Sequence, residues 1–332
     1  MKNNIVKSFF SLLVLLLISC TSTEIQKTTV VSDVYVSGAK ANHACYWKNS
    51  VLMPLTDVGY TKSSADTLIV LNNDVHILGK GNNGVDKTLY WKNNIVSNLT
   101  DAFSTSTEIA TICSMDVDSN NDVYFAGITQ NISVTPNTYN LVYWKNGVKY
   151  IVDSFTSAPY SLIGLKVINN IIYITNARNS GGTIISGYYI NGTYNPSNNF
   201  IWGVNSSPSG VYVYGRTSVD NFYKNITTNA STNLITNLSM MIPIYKMCFD
   251  GSDVYALNDL YVYKNGSIIY TAPPTSASYN YSRIENIDVK NNSIYLLNEQ
   301  GGIGSVSQSV LKDGVLLMQN ATDERFTSLF VN

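Results

Sequence analysis

Seven times along the chain, a segment of the form Asp-Val-Tyr-x-x-Gly is followed by one of the form Tyr-Trp-Lys-Asn-Gly. The first segment begins at Asp33, Asp74, Asp122, Ile171, Gly210, Asp253 and Ser293. The second occupies residues 46–49, 90–93, 143–147, 188–192, 222–225, 262–266 and 310–314. Self-similarity at a period of about 40–50 residues means one supersecondary unit, stacked or set in a ring.

Each unit reads as four strands. An apolar first strand is followed by a tight polar turn, such as Asn72-Asn73 or Asn169-Asn170. The second strand alternates around its Val-Tyr pair, as half-buried strands do. Five residues after its start stands Gly38, Gly79, Gly127, Asn176, Gly215, Asn258 or Asn298. Gly and Asn tolerate a positive φ, so a backbone bend is expected there. The third strand carries Tyr-Trp-Lys and runs into Asn-Gly or Asp-Gly in four copies, a strong hairpin signal. Four antiparallel strands repeated radially make an all-β fold, a seven-bladed β-propeller of four-stranded blades. The chain enters at a second strand (Asp33-Val34-Tyr35) and finishes at residues 325–331, which match a first strand. The C-terminal strand is therefore expected to complete the N-terminal blade and close the ring. A linear solenoid would need polar caps, and none is visible. Over residues 33–332 the chain resembles uncharacterised bacterial β-propeller lipoproteins with Tyr-Trp-Lys-Asn-Gly repeats, a resemblance that implies no particular activity.

The N-terminus reads differently. Lys2 and Lys7 precede an apolar run over residues 9–18, too short to span a bilayer. It ends in Leu17-Ile18-Ser19-Cys20, which resembles the lipobox of bacterial lipoproteins. That resemblance implies a signal peptide over 1–19, Cys20 acylated with palmitate-type chains, a polar tether over 20–28 and the propeller over 29–332. Several acyl chains on one residue give stable anchoring to the membrane. Thr21 and Ser22 stand where an Asp would retain some lipoproteins at the inner membrane, so the expected place is the cell envelope at the outer membrane.

Loss of Lys2 and Lys7 from 21 basic residues leaves the 22 acidic ones in excess, which argues against nucleic acid as a partner. The remaining cysteines, Cys45, Cys113 and Cys248, are odd in number and sit where other units place apolar residues. Buried thiols are expected, with no disulfide framework and no metal site.

Strands alternate in direction, so the tight first-to-second turns and the Asn-Gly hairpins share one face. The other face holds the second-to-third loops and the links between blades, long at 128–141 and 230–245. Variable loops on a rigid scaffold are where binding is expected. The chain's four arginines, Arg178, Arg216, Arg283 and Arg325, fall in these segments. Their planar forks suit carboxylate or phosphate, although four solvated surface charges would look the same. Tyr139, Tyr160 and Tyr281 are loop aromatics suited to ligand contact. Trp47, Trp91 and Trp144 recur at one strand position, as packing between blades would produce. Asp116-x-Asp118-x-Asn120 begins like a calcium loop but lacks its Gly and Glu, so a hairpin turn is expected. His76 replaces a strand Tyr and reads as core, while His43 reads as loop.

No catalytic triad, zinc-protease motif or phosphate loop is present, and no cofactor is expected. The expected function is a non-catalytic binding or scaffold module with a protein or glycan partner on the long-loop face. The alternative is a hydrolase or lyase acting on an acidic glycan, with Arg178, Arg216 and Arg283 clamping carboxylates.

Overall fold

The computed structural model describes residues 32–57, 59–160, 162–180, 183–234, 243–276, 279–302 and 305–332. The expected signal peptide, Cys20 and tether lie outside them. The strands pair into seven four-stranded antiparallel sheets. Blade 1 joins the C-terminal Glu324–Val331 to Val34–Lys40, His43–Lys48 and Val51–Pro54. Blades 2 to 7 follow over residues 62–98, 108–155, 165–197, 200–234, 246–271 and 281–319. Each first strand packs on the first strands of both neighbouring blades, so these seven strands surround the axis. The C-terminal strand closes the ring, as the chain ends imply.

An apolar core fills each interface between adjacent blades, because the strands bury residues on both faces of the sheet. Trp47 meets Phe326 edge-on at 4.8 Å in the core between blades 7 and 1. Trp91 lies between blades 1 and 2, and Trp144 stacks at 4.6 Å on Phe103 between blades 2 and 3. All three are buried, so they hold blades together and present no platform to a ligand.

The repeated polar letters do one job on the tight-turn face. Asn49, Asn93, Asn146, Asn191, Asn265 and Asp313 open the third-to-fourth hairpins with φ near +50°. Each accepts, through Oδ1, the main-chain N–H at the start of its own blade's second strand. In four blades the Asn amide also donates to the leading Asp, and the motif Lys closes on the same carboxylate. In blade 3, Asn146 Nδ2 lies 2.7 Å from Asp122 and Lys145 Nζ 2.8 Å from it, with Lys145 also over the Tyr124 ring at 5.3 Å. The Asp-Val-Tyr and Tyr-Trp-Lys-Asn segments therefore recur because they latch to one another.

The Gly/Asn position departs from expectation: none of the seven residues has a positive φ. The cause is a β-bulge in the neighbouring first strand. In five blades the register slips by one residue, at Thr327, Asp66, Cys113, Trp202 and Glu285. In four of these the main chain beside the bulge presses on a glycine. A Cβ on Gly38, Gly79, Gly127 or Gly215 would lie 1.9, 2.0, 2.1 or 1.9 Å from the carbonyl oxygens of Arg325, Ser64, Thr111 and Phe200. Close approach, not φ, selects glycine there. The loops also differ from expectation. Pairing in blade 3 continues to Asn131–Thr138, so only residues 132–137 of the expected 128–141 remain unpaired.

Candidate binding site on the loop face

The four arginines reach the expected face from strand ends rather than from loops, because the strands run beyond the blade cores. Arg178 lies in Ile171–Ser180, Arg216 ends Gly210–Arg216, Arg283 lies in Tyr281–Lys290 and Arg325 in Glu324–Val331. Tyr139 and Tyr281 are strand residues as well, and only Tyr160 lies in a link. The seven candidates separate into two groups of different chemistry.

The first group spans blades 3 to 5. Tyr139 and Tyr160 line one cleft of about 400 Å³ together with Thr111 and Gln130. Arg178 lines an adjoining cleft of about 440 Å³ with Asn140 and Ser154. The third strand of blade 3 and the link after its fourth strand contribute to both. Arg178 lies over the buried Phe155 ring at 4.2 Å, and its Nη1 is 3.8 Å from Asp153. Asp153 in turn accepts a 2.5 Å hydrogen bond from the Tyr189 hydroxyl, which leaves the arginine only loosely paired. From Tyr160 an aromatic run continues inward. Its ring centroid is 6.4 Å from that of Phe200, and Phe200 is 4.5 Å from Trp202. Arg216 sits over Trp202 at 6.0 Å and has no carboxylate partner among the described residues. The Trp202 indole N–H is buried without an acceptor among the described residues.

Phe200 and Trp202 were not among the candidates that the sequence suggested. The available signal was that Trp202 is the one tryptophan of four outside the Tyr-Trp-Lys segment. It falls instead on the blade 5 bulge.

The second group, on blades 7 and 1, is already neutralised in part. Arg283 ion-pairs with Glu285 and with Glu299, the latter at 2.8 Å. Glu299 is buried and also accepts hydrogen bonds from the Tyr281 hydroxyl at 3.0 Å and the Gln308 amide at 2.8 Å. Burial pushes the Glu285 carboxyl above its ordinary range, against the opposing pull of Arg283. Arg325 lines a cleft of about 530 Å³ between blades 1 and 2, where Lys62 and Lys80 face Asp86, Asp323 and Glu324. Opposite signs alternate there, and Glu324 is paired with Lys40 at 3.2 Å. Arg178, Arg216 and Arg283 thus stand on blades 4, 5 and 7, and neither arginine cleft contains a second arginine.

The remaining candidates serve the fold. His76 is buried between the Tyr90 hydroxyl at 2.7 Å and Asn121 Oδ1 at 3.1 Å, whereas His43 is exposed beside Asp57. Asp118 caps its turn by accepting from the Asn120 and Asp122 main-chain N–H groups, and Asp116 accepts from Val167 N–H and pairs with Lys166. Cys45, Cys113 and Cys248 are free. Burial raises all three thiols, Cys45 to about 12 and Cys113 to about 11, so each stays protonated near neutrality.

No protein-family model matches the chain, and no curated protein matches it. Among solved structures it is similar to apo AztD from Citrobacter koseri, at 9% identity over 91% of this chain and 98% of that one, with a TM-score of 0.50. It is also similar to the computationally designed Ika8 protein, at 15% identity, 89% and 86% coverage and a TM-score of 0.48. The Dos1 propeller is a further neighbour, at 11% identity, 81% and 74% coverage and a TM-score of 0.43. At such identities the likeness concerns architecture alone, and the seven-bladed ring rests on this chain's own strand pairing.

Proposed function

We propose that the chain is a non-catalytic binding module of a bacterial cell envelope, anchored through acylated Cys20 and meeting a protein or glycan partner on its loop face. The observation that carries this reading is the division of labour between the faces. On the tight-turn face the repeated Asp, Lys and Asn side chains are spent on one another. On the loop face, clefts open beside half-buried and exposed aromatics and beside Arg178, whose carboxylate partner Asp153 stands 3.8 Å away.

Metabolic labelling with an alkyne palmitate tests the anchor. The wild type should be labelled and sediment with membranes, whereas Cys20→Ala should be unlabelled. Saturable binding of the 29–332 fragment to isolated envelopes tests the face. A bulky polymer on Ser133→Cys, in the blade 3 loop, should block it, and the same polymer on Ser119→Cys, in a tight turn, should not. The opposite pattern would reject the face, and no saturable binding would reject the module.

The hydrolase or lyase reading has one observation in its favour: Glu285, beside Arg283, has the elevated carboxyl expected of a general acid. New reducing ends or unsaturated sugars released from an acidic glycan, and lost in Glu285→Gln, would establish it in place of simple binding.

A further inference from the structure

Resting on the binding-module reading, we propose that the partner is an acidic saccharide. It would be held on blades 3 to 5 by the aromatic run from Tyr139 and Tyr160 through Phe200 to Trp202, with Arg216 and Arg178 receiving its carboxylates. Sugars present flat faces of C–H bonds edged by hydroxyls, so a site for them combines ring faces with amides and small hydroxyls. Tyr160 is exposed and Phe200 and Trp202 are half-buried, unlike the tryptophans of the repeat, which are sealed between blades. The cleft walls supply Gln130, Asn140, Ser154 and Thr111, a lining rich in amides and hydroxyls. Each cleft, at about 400–440 Å³, falls within the usual range of small-ligand sites.

The two arginines set the charge of the ligand. Arg216 lies over an indole face with no carboxylate beside it among the described residues, and Arg178 is braced over Phe155 with its nearest carboxylate partner at 3.8 Å. A cation–π contact holds each guanidinium near a ring without using its N–H donors, which leaves them for an incoming carboxylate. The opposite sector, on blades 7 and 1, lacks this combination. Arg283 is held by two glutamates, and the cleft lined by Arg325 contains no aromatic residue.

The bulge gives the position a structural origin. In the other bulged blades the extra residue is Thr327, Asp66, Cys113 or Glu285, each half-buried. At blade 5 the same slip places a tryptophan in that half-buried position, with Gly203 next to it. A Cβ on Gly203 would lie 2.3 Å from the Tyr214 hydroxyl, so the chain there is packed to its limit beside the indole.

The test titrates the 29–332 fragment, whose ring and cores lie wholly within Asp33–Asn332, against uronate-containing oligosaccharides, their neutral methyl esters and poly-glutamate. Uronate oligosaccharides should bind, and the esters and the peptide should bind at least about tenfold more weakly. Arg216→Ala should reduce affinity about ten- to a hundredfold, the range for a hydrogen bond to a charged group. Tyr160→Ala should weaken the acid and the ester alike, and both variants should keep the wild-type melting temperature to within a few degrees. Equal binding of poly-glutamate would overturn the saccharide assignment. Uronate binding that ignores Arg216, Arg178 and Tyr160 would overturn the site while leaving the binding-module reading intact. Saturable envelope binding without any uronate binding would overturn this inference alone, and loss of both would reject the two together.

Discussion

Gly79 and Gly84 lie five residues apart and illustrate two different reasons for a glycine. Gly84 has φ +87°, and a Cβ there would find nothing within 4 Å, so alanine meets only backbone strain. Gly79 has an ordinary φ, but a Cβ would sit 2.0 Å from the Ser64 carbonyl oxygen, inside the paired first and second strands. Gly84→Ala is expected to cost about 1 kcal/mol, the usual penalty for an L-residue in the left-handed region. Gly79→Ala must push two bonded strands apart and is expected to cost about 3 kcal/mol, the upper end of overpacking. Urea denaturation of both variants measures the difference. Equal losses would mean that backbone conformation, not the carbonyl contact, governs the position. Residue type alone could not separate these cases in the sequence, because the bulge that matters for Gly79 belongs to another strand.

At the scale of a blade, the latch couples folding to acid. Asp33, Asp74, Asp122 and Asp253 are all held below the ordinary carboxylate range. The largest cause is a hydrogen bond from the motif lysine, or from Asn93 in the case of Asp74. A carboxyl whose folded value is depressed contributes stability that is complete above its unfolded value, about pH 4, and is lost as pH falls through the folded value. Asp122→Asn should therefore be less stable than wild type at pH 7, and the gap should narrow steadily below about pH 4. Chemical denaturation at a series of pH values checks this, and a gap that stays constant would remove the latch from the acid response. These latches are also why the blade was legible. Asp, Lys and Asn recur at fixed spacing because each blade repeats one local geometry. The bulge left no such trace, since its extra residue is Thr, Asp, Cys, Trp or Glu and only the partner strand is constrained. The candidate site was half legible for a related reason. Arginines announce themselves by type, but whether one is free depends on register. Glu299, which neutralises Arg283, lies directly opposite it on the next strand, 16 residues away along the chain.

At the scale of the ring, everything depends on one seam. The strand Glu324–Val331 buries Phe326, Leu329 and Val331 in the core between blades 7 and 1. Its main chain is gripped by a side chain of blade 7. Buried Gln308 accepts from Phe326 N–H at 2.6 Å and donates to Phe326 carbonyl oxygen at 2.8 Å. Asp288 of blade 7 accepts from Val331 N–H at 2.7 Å, and the Thr327 hydroxyl donates to the Ala65 carbonyl of blade 2. Three apolar side chains at about 1.5–3 kcal/mol each approach the whole net stability of a typical domain, about 5–15 kcal/mol. Removing residues 324–332 would also bare the edge of Val34–Lys40, whose N–H and C=O groups would then seek another chain. The truncated protein is expected to lose its cooperative melting transition and to self-associate, as read by calorimetry and light scattering. A synthetic 324–332 peptide supplied in trans should restore both in a saturable way. Gln308→Ala, which leaves the strand in place but orphans both polar groups of Phe326, should melt lower while remaining monomeric. A truncation that stays cooperative and monomeric would mean that six blades and a three-stranded remnant suffice, and that the seam is not what holds the ring.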